Sequence, residues 1–176
     1  IRKPESTGGC RHTGFLATPY LLDAICKTGR VDQAYQLLLQ TKCPSWLYEV
    51  KQGATTIWEN YIAYKEDGTP VMTSLNHYAF GCVDDWMFRK ISGIQPAAPG
   101  FKEIVIAPEL NDAFTNAKRA YMSEYGKIAT AWDLKDGKFH IEVDIPCNTT
   151  AVVNLPDGSS YKIGSGPYTF DCDVKQ

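Results

Sequence analysis

The sequence predicts a helical section followed by an antiparallel β unit, and three observations carry that reading. Apolar residues recur at helical spacing as far as Ile91. Gly93 to Gly100, with Pro96 and Pro99, then breaks the composition. Beyond the break the apolar period falls to two, with Asp-Gly pairs standing between alternating runs.

The elements follow in order. Residues 1 to 14 are polar and irregular, with Gly8, Gly9 and Gly14 opposing a helix. Thr18-Pro19 makes a helix start, threonine as the cap and proline in the first turn. Leu21, Leu22 and Ile25 continue at helical spacing until Gly29. A second helix is predicted from about Val31 to Gln40, with Val31, Ala34, Tyr35, Leu38 and Leu39 on one face, and Pro44 stops it. The short link makes the pair a helical hairpin.

Residues 45 to 55 read as a short helix or an irregular link, and Glu59 as lying near the start of a short helix that ends before Lys65. A loop at residues 66–70 comes next, and the strongest helix is predicted from Asn76 to about Ile91. That helix is apolar over most of its surface, so it needs cover on several sides. The helical section is therefore expected to close a larger helical array, the missing cover coming from a partner or from chain upstream of Ile1.

In the β part, Ile104 and Ile106 alternate, then Ile128, Thr130, Trp132 and Leu134. Lys135-Asp136-Gly137 turns the chain, Phe139, Ile141, Val143 and Ile145 return, and Pro156-Asp157-Gly158 repeats the device. An antiparallel unit over 102–176, folded as a small sandwich, is the expectation.

Bulk properties narrow the function. In 176 residues there are 18 basic and 20 acidic side chains, net charge -2, and no basic stripe, which argues against nucleic acid or an anionic membrane as partner. The hydrophobic fraction of 44% is that of a chain that builds a core. Six cysteines, none in C-x-x-C spacing, argue against a zinc site and for mostly free thiols. No metal and no cofactor is called for. There is no apolar run of membrane-spanning length. The chain opens on Ile-Arg-Lys-Pro without a methionine, so it is expected to be cut from something longer.

One stretch carries chemistry. Gly53-Ala54-Thr55-Thr56-Ile57-Trp58-Glu59-Asn60-Tyr61 sets a carboxylate beside an indole and a phenol, and Ser74-Leu75-Asn76-His77-Tyr78 is a second polar-aromatic cluster. A sugar-cleaving site needs a carboxylate to handle a proton and flat apolar faces to stack on a pyranose. Thr56-x-x-Glu59 equally fits a capping box, in which the glutamate only satisfies backbone donors. Asp84-Asp85 reads as a solvated or salt-bridged pair, and His12 and His140 as structural or exposed.

The words Thr13-Gly-Phe-Leu-Ala-Thr-Pro-Tyr-Leu-Leu22, Pro44-Ser-Trp-Leu-Tyr48, Gly53-Ala-Thr-Thr-Ile-Trp-Glu59, Asn76-His-Tyr-Ala79 and Pro99-Gly-Phe-Lys102 together resemble the carboxy-terminal third of bacterial α-L-rhamnosidases, glycoside hydrolase family 78. The resemblance covers essentially the whole chain, densely to residue 108. It implies the closing helices of an (α/α)6 barrel over 1–95, a linker at 96–101 and a carboxy-terminal antiparallel β-sandwich over 102–176.

The same resemblance implies inverting hydrolysis of a rhamnose-containing glycoside. Glu59 would be the general base and His77 a ligand of the sugar. Trp58 is expected as a pocket wall, with pure packing as the alternative, and Trp46, Tyr48, Tyr61 and Asn76 are further candidates for sugar contact. The general acid would lie upstream of Ile1, in the remainder of the barrel. The family continues after this glutamate with Arg-Trp-Asp, where this chain has Asn60-Tyr61-Ile62. Two rivals stand beside this reading: a non-catalytic sugar-binding or packing module, against which Trp132 and Tyr121 count because they alternate as core residues would, and an (α/α)6 enzyme acting on another sugar.

Overall fold

The computed structural model of the chain describes residues 13–65 and 67–174. It divides into two compact units, Ile1–Asp85 and Trp86–Gln176. His12, Cys10 and nearly all of the irregular stretch expected over 1–14 lie outside the described residues.

The first unit opens with helix α1 (Thr18–Cys26) and helix α2 (Val31–Leu38). Gly29, at φ +76°, supplies the left-handed residue that ends the first and lets the second begin. The cap differs from the expectation. Ala17 stands at the N-cap without a side-chain bond, and Thr18 is already helical. Its hydroxyl donates back to the Gly14 carbonyl at 2.9 Å, so threonine anchors the preceding turn instead of capping the helix. Leu22 from α1 and Ala34, Tyr35, Leu37 and Leu38 from α2 are buried.

Helix α3 (Trp46–Lys51) is capped by Ser45, whose Oγ accepts from the Tyr48 N–H at 3.1 Å. Gly53, at φ +85°, ends it. The next segment corrects the prediction around Glu59. There is no helix between Gly53 and Lys65, but an irregular hairpin whose arms meet at successive rungs. His77 N–H donates to Ile57 O at 2.8 Å, Glu59 N–H to Ser74 O at 3.0 Å, Val71 N–H to Ala63 O at 2.8 Å and Lys65 N–H to Thr69 O at 2.9 Å. The Thr-Thr-Ile-Trp run is β-branched and aromatic, so it loses side-chain freedom in a helix and fits an extended arm.

The long helix predicted from Asn76 is also shorter than expected. A 3-10 turn, Tyr78–Cys82, precedes helix α4 (Val83–Lys90). Asp84 and Asp85 are exposed in the first turn of α4, where carboxylates suit the helix dipole.

Among the described residues the second unit holds eight strands in two four-stranded sheets. One sheet is ordered β1 (Ile94–Pro96), β2 (Glu103–Ile106), β6 (Thr150–Asn154), β7 (Ser160–Ile163); the other β3 (Asn116–Ser123), β4 (Gly126–Lys135), β5 (Lys138–Ile145), β8 (Gly166–Asp173). Both predicted hairpins form. Asp136 and Gly137 take φ +52° and +75°, the primed-turn geometry that matches strand twist, between Lys135 and Lys138. At the second turn the Leu155 N–H donates to Ser159 O and the Gly158 N–H to Leu155 O.

Strict alternation buries Ile128, Thr130 and Trp132 of β4 and Phe139, Ile141, Val143 and Ile145 of β5. The Trp132 indole donates to Ile91 O at 2.7 Å and the Thr130 hydroxyl to Ser92 O at 2.9 Å. These two buried polar groups each meet a carbonyl, as burial requires.

Three details depart from the sequence reading. The segment expected as a linker contains part of β1, which pairs with β2 from Ile94↔Ile106 to Pro96↔Ile104. The first sheet is mixed, because β2 and β6 run parallel from Glu103↔Thr150 to Ile106↔Val153. Tyr121, whose alternation suggests a core residue, is 40% exposed on β3, at the edge of its sheet. It packs against Phe101 at 4.8 Å and edge-on to Phe88 at 5.7 Å.

Cys147 and Cys172 are free thiols. No described helix is long and apolar enough to cross a membrane.

Candidate active site

The irregular hairpin positions the candidate residues. Trp58, Glu59 and Tyr61 lie on its outgoing arm, Ser74, Asn76 and His77 on its return. Glu59 and Ser74 form a closed pair: Glu59 N–H donates to Ser74 O at 3.0 Å, and Ser74 N–H donates to Glu59 Oε2 at 2.9 Å. The Thr73 hydroxyl adds a long contact to the same oxygen at 3.5 Å. Among the described residues both bonds to the carboxylate fall on Oε2. The side chain is partly exposed, so it is not sealed in apolar packing.

The capping-box alternative is excluded by where the two side chains bond. Thr56 Oγ1 donates to Leu75 O across the hairpin, and the Glu59 carboxylate takes the Ser74 N–H. A capping box joins both residues to one helix start, and no helix starts here.

Further along the return arm, His77 is the N-cap of the 3-10 turn. Its Nδ1 accepts the Ala79 N–H at 3.3 Å, which puts the proton of the neutral ring on Nε2. Phe15 stacks on the ring at 4.8 Å with 16° between planes, and Tyr78 also stacks on it at 5.6 Å. The imidazole is therefore held in plane with Nε2 as its donor.

Aromatic packing continues inward. Phe80 stacks on Tyr61 at 5.1 Å, meets Phe15 at 5.0 Å, and its carbonyl takes the Trp46 indole N–H at 2.8 Å. Trp46 and Trp58 are only 5% and 4% exposed. Within this unit both are packing elements, which for Trp58 is the alternative weighed beside a pocket wall. Trp58 also meets Tyr64 edge-on at 5.7 Å. Tyr61 and Tyr48 are partly buried, and Asn76 is exposed with its N–H on Ser74 Oγ at 3.2 Å.

Two contributions carry no sign in the sequence. Phe15 stacks on His77 from 62 residues away, a pairing no local pattern announces. Glu49 on α3 is 2% exposed and takes the Trp58 N–H on Oε2 at 3.2 Å. A glutamate in a short helix reads as a surface residue, so its context gives no signal. No group of three or more His, Cys, Asp or Glu among the described residues is arranged to hold a metal ion.

Comparison with known proteins gives the class first. Residues 1–91 match the model of the bacterial alpha-L-rhamnosidase 6 hairpin glycosidase domain, so the helical unit is a section of a six-hairpin glycosidase domain. Residues 93–169 match the bacterial alpha-L-rhamnosidase C-terminal domain. The chain belongs to the bacterial α-L-rhamnosidase family, as the sequence words implied.

An α-L-rhamnosidase of Formosa agariphila is 43% identical over 168 residues, 93% of this chain and 18% of that protein. One of Streptomyces avermitilis is 42% identical over 147 residues, 82% of this chain and 14% of that protein. The crystal structure of Streptomyces avermitilis α-L-rhamnosidase complexed with L-rhamnose is similar at TM-score 0.91 and 35% identity, over 97% of this chain and 19% of its own. The Aspergillus terreus enzyme matches at TM-score 0.91 and 35% identity, over 96% of this chain and 20% of its own. The chain thus spans 18% and 14% of the length of these two curated relatives.

Proposed function

We propose that this chain supplies the general base of an inverting α-L-rhamnosidase. Glu59 removes a proton from a water molecule, whose oxygen bonds to the anomeric carbon as the glycosidic C–O bond breaks. The leaving oxygen takes its proton from a general acid outside this chain. Inversion needs about 6.5 to 9.5 Å between the two carboxyl groups to admit that water. His77 donates from Nε2 to a hydroxyl of the rhamnose ring.

The observation that carries the reading is the clamp on Glu59. Its backbone and one carboxylate oxygen are fixed on Ser74, and both described bonds fall on Oε2. A base held this way meets its water without reorganising. Membership of the family supports the substrate class, since the named relatives are α-L-rhamnosidases. In them the matched region is a small part of a longer protein, which supports a barrel completed by other chain segments. Exposed Leu16 (91%), Tyr20 (72%) and Tyr78 (90%) are apolar surface that such segments would cover.

The test is a panel of nitrophenyl glycosides given to the full-length protein that carries this chain, with the first-formed anomer read by proton NMR. Cleavage of the α-L-rhamnoside with release of the β anomer is expected, together with no turnover by isolated 1–176. Preference for another sugar, or first release of the α anomer, would overturn the reading.

A further inference from the structure

From the same hairpin we infer that Glu49 is a positioning residue for the base, an inference that rests on the role proposed for Glu59. The segment between α3 and Glu59 has no helix or strand to hold it. Gly53 turns the chain out of α3, and residues 54–58 lead to the base. Both ends of that excursion return to one residue. The Ala54 N–H donates to the Glu49 carbonyl at 3.1 Å, and the Trp58 N–H donates to Glu49 Oε2 at 3.2 Å.

The amide of residue 58 is thus held by a carboxylate, while the Glu59 N–H is held by Ser74 O. Two consecutive amides of an irregular segment each have a fixed partner from outside it. A carboxylate is a stronger acceptor for an N–H than a neutral oxygen. At 2% exposure, water does not compete for the bond. Ser45 caps α3 and so fixes the helix from which Glu49 reaches. The chain from helix to base is continuous: Ser45 holds α3, α3 holds Glu49, Glu49 holds the amide of residue 58, and residue 59 is the base.

Such an arrangement acts on where the base stands and not on how the sugar binds. Displacing a catalytic group by about 1 Å costs up to roughly a hundredfold in rate. Glu49→Asp withdraws the acceptor by one methylene while keeping its charge, Glu49→Ala removes it, and Glu49→Gln keeps an oxygen at the same reach.

The experiment measures kcat and KM of these three variants and of Glu59→Ala in the full-length protein on nitrophenyl α-L-rhamnoside, with and without azide, beside thermal unfolding. Expected are a fall in kcat of about tenfold or more for Glu49→Asp and Glu49→Ala with KM within about twofold, and kcat within about threefold for Glu49→Gln. Azide, which attacks without losing a proton, accelerates Glu59→Ala and leaves the Glu49 variants unchanged. Should Glu49→Ala not fold, Glu49→Asp and Glu49→Gln decide. The inference is overturned if Glu49→Asp keeps kcat within about twofold, or if its loss only tracks the unfolded fraction. Parent-like activity of Glu59→Ala would instead remove the underlying reading, and that arm reports it separately.

Discussion

Glu59 and Ser74 exchange hydrogen bonds in both directions: the Ser74 carbonyl takes the Glu59 N–H at 3.0 Å and the Glu59 carboxylate takes the Ser74 N–H at 2.9 Å. Backbone and side chain of the proposed base are thereby registered to the same residue on the opposite arm. The arm that carries Ser74 also carries His77, so the pairing of the two arms fixes proposed base and sugar ligand in one register.

Because the donor is a backbone N–H, the side chain of Ser74 is dispensable to the clamp on Glu59 and its amide is not. Ser74→Ala should keep kcat within about twofold, whereas Ser74→Pro, which lacks the N–H, should lower kcat about tenfold or more. Thr73→Val should have little effect, since its 3.5 Å contact is at the limit of a bond. Steady-state kinetics on the full-length protein check all three.

His77 has a capping role and a proposed sugar-binding role, and substitution separates them. Its Nδ1 caps the turn that starts at Tyr78, and its Nε2 is assigned to the sugar. Asparagine keeps a capping oxygen, so His77→Asn should hold the thermal midpoint while kcat/KM falls about tenfold or more. His77→Ala should lose a similar activity and about 1 kcal/mol of stability as well. Calorimetry alongside kinetics distinguishes the two.

Gly93 sits at φ +82°, and a Cβ there would stand 2.5 Å from the Pro108 nitrogen. Gly93→Ala therefore meets a backbone clash and a left-handed penalty together, for a loss of about 2 kcal/mol or more. The urea midpoint of the chain should fall accordingly, with the slope of the transition unchanged.

The hydrogen bond that His140 Nδ1–H donates to Asp171 Oδ1 at 2.8 Å raises the pKa of His140 above its usual 6.5, burial opposes this, and the charges of Asp171, Asp133 and Glu142 add to it. The folded value is the higher one. The contribution is therefore complete below pH 6.5 and is lost as pH rises through the folded pKa. With His140 37% and Asp171 74% exposed, solvent limits it to about 0.5 kcal/mol. NMR titration should show the His140 pKa falling in Asp171→Asn.

What the sequence disclosed is local. The Asp136-Gly137 turn and its flanking alternation specify a hairpin because both signals lie within a few residues of each other. Gly29 ends a helix for the same reason. What it concealed depends on partners far along the chain. Thr56-x-x-Glu59 matches a helix cap, yet Ser74 and Leu75 supply the competing bonds. The 93–100 stretch has the Pro and Gly content of a linker, while Ile94 to Pro96 finds a strand partner in Ile104 to Ile106. Glu49 and Phe15 are silent, since burial and stacking at a distance leave no periodic mark.

The most direct measurement is the rate of Glu59→Ala in the full-length protein on nitrophenyl α-L-rhamnoside, without and with azide. If Glu59 is the base, kcat falls by about a hundredfold to ten-thousandfold, azide restores part of it, and β-L-rhamnosyl azide is the product. A rate within about threefold of the parent, or a loss that azide does not relieve, would contradict that role.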